Sequence, residues 1–77
     1  MTYAEILQKA RDKKFNFVCR DSDGFFCAFI SDPIADGDYK YWRIREFDTK
    51  KFMNLGFVSD SFPEDDWKDS KIDLRKA

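Results

Sequence analysis

The chain contains no histidine, so the commonest general base and the usual transition-metal ligand are both absent. Its two cysteines, Cys19 and Cys27, have no neighbouring motif or helix N-terminus to activate a thiol. They read as free, buried thiols in preference to a redox pair. What remains for chemistry is carboxylate. Asp60, Glu64, Asp65, Asp66 and Asp69 are dense enough to suggest acid/base work or a magnesium site. Their ordinary reading is the acidic start of a short, solvated helix. Asp21-Ser22-Asp23-Gly24 matches part of a calcium loop but lacks the later ligands, and is read as a turn. The expectation is a protein without catalytic residues, metal or cofactor, and therefore not an enzyme.

The other chemically expressive set is aromatic and basic: Arg20, Phe26, Tyr39, Tyr41, Arg43 and Arg45. Whether these residues meet depends on the strands that carry them. Asp21-Ser22-Asp23-Gly24 suits a type I turn with Gly24 at positive φ, which makes a three-residue hairpin loop with a bulge. In that register Arg20 faces Phe26, Cys19 faces Cys27, Val18 faces Ala28 and Phe17 faces Phe29. One face then carries Phe15, Phe17, Cys19, Phe25, Cys27 and Phe29. The other carries Asn16, Val18, Arg20, Phe26, Ala28 and Ile30. A two-residue loop would scatter the phenylalanines over both faces.

The segments around this hairpin are expected as follows. Thr2-Tyr3-Ala4-Glu5 is a capping box, and Tyr3, Ile6, Leu7 and Ala10 make one apolar helical stripe against the sheet. Residues 31–38 read as a loop, because Pro33 cannot donate to a ladder and Asp36-Gly37-Asp38 signals a turn. Tyr39 to Phe47 alternates like a third strand. Burying unpaired arginines is costly, so Trp42 and Ile44 are placed on the helix-covered face with Phe17 and Phe29. Tyr39, Tyr41, Arg43 and Arg45 then join Arg20 and Phe26 outside. A short helix from Lys50 to Asn54 ending at Gly56, a brief strand at Phe57-Val58, a short helix around Glu64 to Lys68 and a last strand through Ile72 and Leu74 complete the chain. The fold class is α+β: a small single domain over residues 1–77, an N-terminal helix on a three- to four-stranded antiparallel sheet, α-β-β-β followed by short pieces.

With 77 residues, one modest core must suffice, and nine phenylalanines help by burying more area per residue than aliphatic side chains. Lys+Arg 14 against Asp+Glu 15 speaks against whole-molecule attraction to nucleic acid or an anionic membrane. No apolar run approaches the length of a membrane span. Two cysteines without an apolar leader point to a cytoplasmic protein.

An aromatic and basic outer face is too apolar to stand idle. In the ordinary reading the C-terminal residues fold over it. Otherwise it binds a protein partner or a second copy of the chain, or it stacks nucleotides or single-stranded nucleic acid. The order helix, three-strand meander and the late pair Asp66-Trp67 is similar to small phage anti-defence proteins that sequester cyclic nucleotide signals. Their Trp-Asn-Gly signature is missing here, so no family is assigned. Chain length, the lack of catalytic residues and a sticky outer face are together what a non-enzymatic protein-binding module or inhibitor of a host factor, of phage or mobile-element type, would look like.

Overall fold

The computed structural model describes residues 1–44, 52–60 and 66–76. Its architecture is α+β. The elements in chain order are α1 (Tyr3–Asp12), β1 (Phe17–Arg20), β2 (Phe26–Phe29), β3 (Ile34–Asp36), β4 (Tyr41–Arg43), β5 (Phe52–Gly56), a 3-10 turn at Trp67–Asp69, and β6 (Ile72–Asp73). Four strands form one antiparallel sheet in the order β5-β2-β1-β6, and β3 and β4 form a separate two-stranded hairpin.

The β1–β2 hairpin has the register its turn dictates, with Phe17 opposite Phe29, Cys19 opposite Cys27 and Arg20 opposite Phe26. The turn closes through Asp21 N donating to the Phe25 carbonyl at 2.9 Å and Gly24 N to the Asp21 carbonyl at 3.0 Å. Gly24 takes φ 94°, a backbone region that a side chain disfavours. The helix begins at the expected capping box: Glu5 N donates to Thr2 Oγ1 and Thr2 N to Glu5 Oε1. Asp60, distant in sequence, accepts from Tyr3 N at 2.8 Å and so satisfies a further free N–H of the first turn.

The helix lies on the opposite sheet face from the one expected. Ile6 and Ala10 pack with Val18, Phe26, Ala28 and Leu55, joined by Tyr3, Leu7, Phe15 and Met53. Val18 and Ala28 are small, so the helix approaches closely; the rings of Phe17 and Phe29 would hold it away. Phe17 and Phe29 do share one face, but their cover is Trp42 of the β3–β4 hairpin, with Cys19 and Cys27 in the same cluster and Trp67 against it. Phe15, expected beside Phe17, packs on the helix side.

Further expectations change. Ile34–Asp36 is a strand, not loop, because the Asp36-Gly37-Asp38 turn closes a hairpin of its own. Asp36 Oδ1 accepts from the N–H of Asp38 and of Tyr39, and its carbonyl accepts from Lys40 N at 2.8 Å. Consequently β4 pairs with β3 and not with the main sheet. Phe52–Gly56 is likewise a strand, not a helix end: it pairs with β2, with a bulge that leaves Leu55 unmatched beside Gly56 at φ 93°. The open edge of β2 outweighs local helix propensity there, and Phe57-Val58 follows the strand instead of forming one. Of the expected helix around Glu64 to Lys68, the described part is the 3-10 turn at Trp67–Asp69, while Glu64 and Asp65 lie outside the described residues. The last strand is present as β6, paired with β1.

Candidate functional site

A four-stranded sheet is wider than the hairpin that packs on it. The hairpin seats over β1, tied down at three points. Trp42 N donates to Asp21 Oδ1 at 2.8 Å, and Ser22 N to the Lys40 carbonyl at 3.3 Å. The Trp42 indole N–H lies 3.0 Å from the Arg20 carbonyl and 3.1 Å from that of Trp67. Between the β2–β5 half of the same face and β4, the described residues line a cleft of about 480 Å³.

The cleft follows from strand parity. Phe25, Cys27 and Phe29 of β2 and its turn, with Phe52 and Asn54 of β5, supply the sheet side; Tyr41 to Ile44 supply the other wall; Asp21 stands at one end. Phe29 and Phe52 stack with ring centroids 6.4 Å apart. Trp42 meets Trp67 edge-on at 6.2 Å, which fixes the indole that separates cleft from core. The volume falls in the range of small-ligand or side-chain pockets, and the lining is aromatic with few polar groups.

Those polar groups differ in their neighbours. Arg43 Nε is 3.2 Å from Asp36 Oδ2, so a carboxylate already meets its charge. Asp21 joins no ion pair among the described residues. Burial holds its carboxyl above the usual aspartate range, partly offset by the Trp42 N–H, and Asp23 adds like-charge repulsion. Cys27 Sγ donates to Asn54 Oδ1 at 3.6 Å. Burial pushes the Cys27 thiol up to about 12 and the Cys19 thiol higher still, so both are unsuited to nucleophilic work. Both cysteines are free.

The residues singled out from sequence divide between the two faces. Arg20 is 7% and Phe26 3% exposed; Phe26 packs under the helix, and neither joins a surface with the tyrosines. The inversion of helix and hairpin is the cause. Tyr39 and Tyr41 are 74% and 41% exposed, with ring centroids 6.0 Å apart, and Tyr41 and Arg43 line the cleft. Arg45 lies outside the described residues. In the acidic segment, Asp60 serves the helix start, Asp66 accepts from Lys68 N at the 3-10 turn, and Asp69 is exposed. No group of three or more metal-ligating side chains forms among the described residues. Phe25, Phe29, Phe52, Asn54 and Asp21 were not among the expected partner-binding residues. The signal that could have found them is the number of phenylalanines on one strand face, more than a single hairpin covers.

No protein-family model, curated protein or solved structure matches the chain.

Proposed function

We propose that the chain is a non-enzymatic binding module for a protein partner, and that the aromatic cleft between β4 and the β2–β5 half of the sheet is where the partner enters. The cleft itself supports this reading: it is preformed, largely apolar and rimmed by exposed tyrosine and arginine, and the described cysteine in its lining is not activated. Aromatic residues and arginine are the types that dominate interface energetics. The chain would act by occupying its partner, as an inhibitor does. Two free thiols accord with a cytoplasmic setting, and no described helix is long and apolar enough to cross a membrane.

Affinity capture from lysate, followed by titration of the purified partner, tests the proposal. The wild-type chain is compared with a Tyr41→Ala, Phe52→Ala variant whose circular dichroism is unchanged. Loss of about tenfold or more in affinity is expected, the scale of one interface anchor. Undiminished binding by the variant contradicts the cleft as the site. Recovery of nucleic acid alone, with an affinity that falls steeply as salt rises, would instead support a nucleotide or single-strand binder.

A further inference from the structure

Half of the cleft's lining residues are aromatic, and among the described residues not every charge of the lining is paired. Arg43 is matched by Asp36, which leaves the Asp21 carboxylate as the charge of the lining with no ion pair among the described residues, and Asp23 adds like-charge repulsion. One Asp21 oxygen is held by the Trp42 N–H. A carboxylate in a cleft lined by aromatic rings is an arrangement that favours a cation: ring quadrupoles can attract it, and the partly desolvated carboxylate gains more from it than it would in water. The apolar walls suit an aliphatic stem that carries such a charge.

We propose that the cleft accepts a basic side chain of lysine type from the protein partner, its stem along Tyr41 and Phe52 and its ammonium at Asp21. The inference rests on the cleft being the binding site and specifies what enters it. Complementarity of charge selects this occupant: a neutral apolar side chain would bury Asp21 without a counter-ion, and an acidic one would add repulsion.

The test uses two probes of nearly equal shape, N-acetyl-lysine methylamide and N-acetyl-norleucine methylamide, titrated to tens of millimolar (about the range where fragment-sized ligands bind) while aromatic and amide resonances are followed. The lysine probe is expected to shift Tyr41, Trp42 and Phe52 saturably, and the norleucine probe to bind at least about tenfold more weakly. Asp21→Asn keeps an oxygen to accept from Trp42 N, so the hairpin stays seated, and it should erase the difference between the probes. Equal binding of both probes, or a lysine affinity unchanged in Asp21→Asn, overturns the cationic occupant and leaves the cleft reading intact. Absence of any shift at Tyr41, Trp42 and Phe52 with the lysine probe also overturns it. The cleft reading is judged separately by the Tyr41→Ala, Phe52→Ala comparison, which does not depend on the charge of the occupant.

Discussion

Ser70 shows how much of the architecture hangs on one hydroxyl. Val18 pairs with Ile72, and in the same antiparallel register the next outward-facing backbone groups of β1, those of Arg20, fall opposite Ser70. There the side chain takes over from the ladder: Arg20 N donates to Ser70 Oγ at 2.9 Å, and that hydroxyl lies 3.1 Å from the Arg20 carbonyl and 2.6 Å from that of Trp67. Replacing Ser70 with alanine strands the buried Arg20 N–H and should destabilise the fold by about 1–3 kcal/mol, measurable by urea denaturation. Asp21 makes a prediction with a definite sign. Its folded pKa is raised by burial, so the folded state holds its proton more tightly than the unfolded chain. Its contribution to stability therefore declines as pH rises from about 4, the ordinary aspartate range, through the raised value. Asp73, held down to about 2 chiefly by the Arg75 side chain, behaves oppositely: its contribution is present above the ordinary range and disappears as pH falls through about 2. Urea melts of wild type and Asp21→Asn across this range should converge at low pH and separate as pH rises, with the variant the more stable. Parallel curves would show that Asp21 titrates as an ordinary surface carboxyl. The thiols give a third residue-scale result. Both are buried with raised pKa values, so a thiol reagent should label neither quickly in the native protein and both promptly after denaturation without reductant. Two missing thiols in the denatured sample would contradict the free pair.

Among the elements, the β1–β2 hairpin was the most legible, because turn chemistry and strand parity agree on one register. The helix start was equally clear from its capping box. Three features were not legible, for physical reasons. Parity sorts side chains into two sets but does not say which set meets the helix; the small size of Val18 and Ala28 decides that through packing. Asp36-Gly37-Asp38 signals a turn, but whether a turn closes a hairpin or interrupts a loop depends on what flanks it. Phe52 to Asn54 has short-range helix character, and only the free edge of β2 makes it a strand. The candidate site suffered most, since inverting the faces sends Arg20 and Phe26 inward and leaves Tyr41 and Arg43 to meet an unforeseen row of phenylalanines. Phe29 sits where these effects converge, buried against the hairpin cluster and stacked on Phe52. Phe29→Ala should cost about 3–5 kcal/mol, enough to unfold much of the population of a domain this size. A loss under about 1 kcal/mol would mean that the ring is not packed between the layers.

At the scale of the whole molecule, the sheet is the middle of three layers, with α1 on one face and the β3–β4 hairpin on the other. The cleft lies where β4 of the hairpin faces the β2–β5 half of that sheet face. The proposed binding at the cleft depends on that placement: were the hairpin on the helix side, Tyr41 and Arg43 would stand far from Phe29 and Phe52. Nuclear Overhauser contacts of the Trp42 ring report it directly. The predicted pattern is cross-peaks from Trp42 to Trp67 and to the Phe17, Cys19, Cys27 and Phe29 set, with none to Ile6 or Ala10. Cross-peaks from Trp42 to Ile6 or Ala10 would contradict the layer order and the cleft with it.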